Sequence, residues 1–198
     1  MAQGSTFEDF VQSYYERFAA TLLGFDKTAL AEVLQVFDAV SARRGTIYVA
    51  GNGGSAAIAD HTVCDTTKGT HVEGKPAVRS ISLSSNGPML TALANDISYE
   101  RVFSEQLKYY LTSDDAVLLV SSSGNSPNVV EACKYANERG VPTIAFVGFG
   151  GGTLAKLAKH VVWIRVDNYG IVEDTHQSLI HVLTQFMKAR EVGRAQSA

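Results

Sequence analysis

The sequence predicts a doubly wound α/β sandwich, a three-layer fold around a five-stranded parallel sheet. Three observations lead there. From residue 46 onward, short β-branched runs alternate with stretches of helical periodicity. The runs Ala116-Val117-Leu118-Leu119-Val120 and Ile144-Ala145-Phe146-Val147 are continuously apolar, the texture of strands buried on both faces. A length of 198 residues suits one core of this kind and leaves little for a second domain.

Before the first strand, apolar residues recur at helical spacing: Phe7, Phe10, Val11, Tyr14 and Phe18, then Leu30, Val33, Leu34 and Phe37. Gly24 and Asp26 divide this stretch into two helices, with Asp26 placed to cap the second. Two amphipathic helices here exceed what a small α/β core needs. They are expected to cover a subunit interface, which sets residues 1–42 apart from a core domain at 43–192. Strands are predicted at 46–50, 80–83, 116–121, 143–148 and 161–166, and helices at 55–66, 99–111, 128–138, 152–158 and 172–190. Gly140 and Pro142 close a helix and lead into a strand. Residues 193–198 read as a frayed tail.

Composition excludes several classes. Hydrophobic residues make up 45% and charged residues 19%, as in an ordinary globular protein. A net charge of −3, with Lys and Arg scattered, argues against a nucleic-acid-binding role. Cys64 and Cys133 stand 69 residues apart and form no CxxC, which reads as two reduced thiols. The N-terminal residues lack the basic and apolar regions of a signal peptide, and no apolar run approaches the roughly 20 residues of a membrane span. The expectation is a cytoplasmic protein without membrane contact.

Ligands in such sheets collect where strand carboxyl ends enter helix N-termini. Two of these ends are rich in glycine and serine. The first strand runs into Gly51-Asn52-Gly53-Gly54-Ser55, where glycines permit close backbone approach and Ser55 can cap the helix or donate to an anion. It matches neither the Walker nor the GxGxxG pattern, and a plain tight turn capped by Ser55 is an equal reading. The third strand ends in Ser121-Ser122-Ser123-Gly124-Asn125-Ser126-Pro127-Asn128. Small hydroxyls and backbone amides at a helix N-terminus make an uncharged phosphate cradle, and Pro127 suits the first helical turn. This position between buried strand and helix favours an anion site over a merely polar turn.

Together, GNGGSAA followed by His61, SSSGNSPN, the segment Leu90-Thr91-Ala92-Leu93-Ala94-Asn95-Asp96, and Glu173 with His181 resemble the sugar isomerase (SIS) domain, and within it the phosphoheptose isomerases. The resemblance spans nearly the whole chain, with the motifs in order and at matching spacing. It implies a flavodoxin-like five-stranded parallel sheet and a homotetramer with active sites between subunits, which gives the leading helices a role.

His61 and Asp65 stand at i and i+4, and Glu173 and His181 eight residues apart in a later helix, so each pair shares a face. Two histidines and two carboxylates suit Zn²⁺, although each residue alone reads equally as a surface position on an amphipathic helix. The resemblance implies that His61, Asp65, Glu173 and His181 hold one Zn²⁺, that Asp65 and His181 are the catalytic acid/base groups, and that Glu173 also binds substrate. It assigns Asn52, Gly53, Gly54, Ser55, Asn95 and Asp96 to the sugar, and Ser121, Ser122, Ser123 and Ser126 to its phosphate. Two departures stand out: the resembling isomerases usually carry Glu at the position of Asp65 and Gln at that of Glu173. The first retracts a carboxylate by a methylene; the second adds negative charge, which favours a divalent cation. His176 reads as a polar partner near the site or at an interface, His71 and His160 as surface or strand-edge residues, and Trp163 as core.

The implied reaction is aldose–ketose isomerisation of sedoheptulose 7-phosphate to D-glycero-D-manno-heptose 7-phosphate through an enediol, the opening step of nucleotide-activated heptose synthesis. Zn²⁺ would polarise the carbonyl, and Asp65 and His181 would move the protons. Rival readings are a non-catalytic SIS protein that binds a replication initiator, or an isomerase of another sugar phosphate.

Overall fold

The structure, a computed structural model, describes residues 6–196. Five parallel strands form one sheet in the order β2-β1-β3-β4-β5: β1 (Thr46–Ala50), β2 (Arg79–Ser82), β3 (Ala116–Ser121), β4 (Thr143–Val147) and β5 (His160–Trp163). Every residue of β1, β3 and β4 is buried, which is why their sequences are apolar without alternation.

Side chains alternate across the sheet into two cores. On one face Ile47, Val49, Leu118, Val120, Ile144 and Phe146 pack against α2 (Lys27–Ala42), α3 (Gly54–Cys64) and α8 (Tyr169–Gln196). On the other, Tyr48, Ala50, Val117, Leu119 and Ala145 meet α4 (Gly87–Asp96), α5 (Val102–Tyr110), α6 (Pro127–Glu138) and the short α7 (Leu154–Leu157). The layers, strand number and parallel sense agree with the sequence reading. The helix α4 was not foreseen. Its sequence opens with Gly87 and Pro88, yet Asn86 caps it by accepting from the Met89 amide, and Leu93 buries its apolar side.

The first helix, α1 (Phe7–Gly24), opens with a capping box of Thr6 and Asp9. Asp26 caps α2 through the Thr28 and Ala29 amides, as expected. None of the residues of α1 is buried, and Phe7, Phe10, Tyr15 and Leu23 are exposed. It touches α8 through the Tyr14 hydroxyl, which donates to Asp174, and an Arg17–Asp167 ion pair ties it to the loop after β5. Helix α8 continues through Gln196; of the expected tail, residues 197 and 198 lie outside those described, as do residues 1–5 of the leading segment. Among the described residues no helix is long and apolar enough to cross a membrane.

Candidate active site

Strands β1 and β3 are neighbours, and their connections diverge: α3 leaves toward β2 on one face, α6 toward β4 on the other. Their carboxyl ends therefore flank the switch point of the sheet, the crevice where ligands of doubly wound folds bind. Both candidate loops are located there.

In the first loop Gly53 adopts φ +55°, which glycine alone takes without strain, and it occupies the cap position of α3. Ser55, anticipated as a cap, is buried inside the first turn instead, and no side chain caps this helix. The second loop crowds hydroxyls about the entry to α6. The Ser121 and Ser126 hydroxyls are 3.4 Å apart, Ser121 Oγ accepts from the Gly124 amide, and Ser123 Oγ accepts from the Asn125 amide. Ser122 Oγ is buried with no partner among the described residues, a polar group of the kind that a bound ligand satisfies. Ser126 makes no capping bond, and within the first turn of α6 Asn128 Oδ1 accepts from the Val129 amide.

A reciprocal amide pair bolts the loops together. Asn52 Nδ2 donates to Asn128 Oδ1 at 2.8 Å, and Asn128 Nδ2 donates back to Asn52 Oδ1 at 2.9 Å. The Tyr99 hydroxyl donates to the same Asn52 oxygen at 2.9 Å. The sequence showed Asn128 only as the last residue of the serine loop and Tyr99 only as the start of a helix, which in the structure begins as a 3₁₀ turn, Tyr99–Arg101. Asn95 and Asp96 lie exposed at the end of α4, hydrogen-bonded to each other.

The titratable groups gather further along α3 and α8. His61 Nε2 is 3.2 Å from His181 Nε2 and 3.3 Å from Asp65 Oδ1, and His181 Nε2 is 3.4 Å from Asp65 Oδ2. Their donor atoms all fall within 4.8 Å of one another, a His/Asp/His set with the chemistry to hold a divalent cation. The short Asp65 therefore still meets both imidazoles. It opens a π turn, Asp65–Gly69, where the helix widens. Thr62, Thr66 and Thr70 there each donate to the carbonyl four residues back, bonding that bends helices. Side-chain exposures of 48% for His61, 20% for Asp65 and 45% for His181 leave the cluster open to a ligand.

Glu173 stands apart from this set. Its carboxylate lies against Gly54, where a Cβ would collide with it, so it belongs to the first-loop end of α3. Burial, then the neighbouring Asp174, push its carboxyl above the ordinary value. Between Glu173 and His181 on the same stripe of α8 is Gln177, whose Nε2 is 3.2 Å from His181 Nε2.

The remaining singled-out residues differ from expectation in part. His176 is fully buried, its ring against Phe146 in the core, neither a site partner nor an interface group. Trp163 is only half-buried: its Nε1–H donates to the Phe149 carbonyl and Arg165 stacks on its outer face, because β5 is an edge strand. His71 is exposed and His160 opens that edge strand, as read from the sequence.

Comparison with known proteins agrees with this geometry. A SIS domain family model matches residues 7–148. A probable phosphoheptose isomerase from Thermoplasma acidophilum is 35% identical over 172 residues, covering 87% of this chain and 94% of that protein. A phosphoheptose isomerase from Desulfovibrio desulfuricans is 34% identical over 169 residues, covering 85% and 80%. The solved structure of phosphoheptose isomerase GmhA from Neisseria gonorrhoeae superposes with a TM-score of 0.85 at 26% identity, over 93% of this chain and all of that one.

Proposed function

The chain belongs to the SIS domain family and, within it, to the phosphoheptose isomerases, and from that premise we propose that it interconverts sedoheptulose 7-phosphate and D-glycero-D-manno-heptose 7-phosphate through an enediol. It is a phosphosugar isomerase. The observation that carries the reading is the convergence of His61, Asp65 and His181 beside an uncharged serine cradle at the switch point. A non-catalytic SIS protein would have no need of an intact proton-transfer set.

In this reading Ser121, Ser122, Ser123 and Ser126 hold the phosphate, supported by the unsatisfied Ser122 hydroxyl and by the Ser126 hydroxyl, which makes no cap bond to α6. Asn52, Gly53, Gly54, Ser55 and Glu173 line the sugar, with Asn95 and Asp96 at its margin. Asp65 and His181 move the protons: one removes the proton from the carbon beside the carbonyl while the other protonates the oxygen, and they exchange roles on the return path. The His/Asp/His donor set fits Zn²⁺, which when bound supplies Lewis acidity at the sugar carbonyl oxygen.

The subunit is proposed to form a homotetramer through α1, supported by the exposed Phe7, Phe10 and Leu23 and by Val182 and Phe186 on α8. A cytoplasmic location is proposed, supported by two free cysteines.

The test is incubation with sedoheptulose 7-phosphate, product being followed by NMR. Turnover is expected; His181→Ala should lower it by about 10²–10⁴-fold, the range of acid–base contributions, and His61→Ala should lower it together with bound metal. An absence of turnover, with or without added Zn²⁺, overturns the assignment.

A further inference from the structure

We propose that Tyr99 is a positioning residue: together with Asn128 it locks Asn52 into one orientation, in which Asn52 meets the sugar only as a hydrogen-bond donor. This deepens the reading of Asn52 as a sugar contact and rests on it. The lock starts from Asn128, which is 1% exposed in the first turn of α6. Its Oδ1 accepts from the Val129 backbone amide at 3.0 Å. A backbone N–H group can only donate, so that atom of Asn128 is the oxygen and the other is the nitrogen. The reciprocal pair then fixes Asn52 in turn: Nδ2 faces Asn128 Oδ1 at 2.8 Å, and Oδ1 faces Asn128 Nδ2 at 2.9 Å. The Tyr99 hydroxyl completes the arrangement from a third element, the 3₁₀ turn after α4, by donating to Asn52 Oδ1 at 2.9 Å.

An amide oxygen carries two lone pairs and an amide nitrogen two protons. Asn128 and Tyr99 occupy both lone pairs of Asn52 Oδ1, and Asn128 takes one of the two Nδ2 protons. One N–H group is left for a ligand. Asn52 therefore has no capacity to accept from a sugar hydroxyl, and its partner must be an oxygen lone pair, on a hydroxyl or on the carbonyl. Without the tyrosine, one lone pair of Oδ1 is free, and the same side chain can accept from a hydroxyl as readily as it donates. The buried Asn128 sets which way round the amide lies, and the exposed Tyr99 gives its only proton to close the remaining acceptor. A ligand that brings a proton to this N–H leaves both groups unpaired, which is how polar groups of a site discriminate between similar sugars.

Steady-state kinetics with sedoheptulose 7-phosphate test the lock. Tyr99→Phe removes one oxygen from an exposed side chain, so the fold is kept. It should raise KM by about 3- to 10-fold, the size of one neutral hydrogen bond. Little change in kcat is expected, because the contact is made in ground and transition states alike. Inhibition by inorganic phosphate should stay at the wild-type level, since the serine loop is untouched. In an Asn52→Ala background the same Tyr99→Phe change should add nothing, the non-additivity of two residues that act as one unit. Asn52→Asp, which retains its acceptors but has no proton to give, should raise KM at least as far as Asn52→Ala. Three results each overturn the role of Tyr99 and leave the isomerase standing: wild-type KM in Tyr99→Phe, weakened phosphate inhibition in that variant, or its full effect in the Asn52→Ala background. Wild-type KM in Asn52→Asp overturns the donor assignment. An unchanged KM in Asn52→Ala overturns the reading of Asn52 as a sugar contact, and an absence of turnover by the wild type overturns the isomerase reading itself.

Discussion

His176 is a buried polar side chain with little compensation. Its ring is packed against Phe146, neither ring nitrogen makes a well-aligned hydrogen bond among the described residues, and burial, offset only in part by the backbone of Val147, lowers its pKa to about 4. The unfolded chain, with an ordinary value of 6.5, binds a proton more readily than the native state. The neutral ring's contribution is therefore fully present above pH 6.5 and is lost as pH falls from there toward 4. By pH 5 the loss should be on the order of 2 kcal/mol. Urea unfolding at pH 7 and pH 5, with chelator present, should show that loss in the wild type. In His176→Leu it should be largely absent, and Leu should raise stability at pH 7 by removing an unpaired polar group. At this scale the sequence was informative only about charge. His61, Asp65 and His181 stood out because they are ionisable residues within the segments that carry the family resemblance. The pairings of Gln177 and Asn128 did not, because a neutral amide declares its partner only when another element has been folded against it.

At the scale of elements, the serine loop proposed to hold the phosphate depends on a second turn packed behind it. Gly124 has φ +66°, and a Cβ there would collide with the Gly151 carbonyl; Gly152, at φ +59°, would in turn strike the Ser123 carbonyl. Asn125 Oδ1 joins the two turns by accepting from the Thr153 amide and hydroxyl. Gly124→Ala should therefore cost on the order of 3 kcal/mol, read from denaturant midpoints, and should blunt phosphate binding. The glycine was visible in the sequence as a loop former, but its neighbour was not, since residue 148 read as the end of a strand and residues 152 and 153 as the start of a helix. Strands β1, β3 and β4 were legible because burial on both faces leaves an unmistakable apolar run. Helix α4 was missed because Gly87 and Pro88 resemble a turn, and only the Asn86 cap and the socket for Leu93 make that segment helical. The π turn at Asp65 was equally hidden, as it arises from a backbone adjustment within a helical pattern.

For the whole molecule, the described chain leaves α1 without a buried side chain, an arrangement that the helix cannot sustain through propensity alone. Phe7 and Leu23 are each 76% exposed, at opposite ends of the helix. Under the proposed assembly, Phe10→Glu combined with Leu23→Glu should shift the sedimenting species toward monomer. Turnover should fall with it, because the resemblance places active sites between subunits. The sequence indicated a helix with an apolar stripe; it could not show that a single chain covers the stripe only in part, Tyr14 and Phe18 packing against the core while Phe7 and Phe10 stay exposed.

The parallel run of α3 and α8 has one more consequence. Glu173 meets Gly54 at one end and His181 meets His61 at the other, so the two proposed ends of the sugar site are separated by seven residues of helix, about 10 Å of rise. That spacing is held by backbone hydrogen bonds and is indifferent to which side chains line the groove. Point substitution can change what the site grips but not how far apart it grips; only an inserted or deleted residue could, and it would swing His61 a third of the way round the helix. The reach of the site is thus quantised, a ruler with divisions of whole residues.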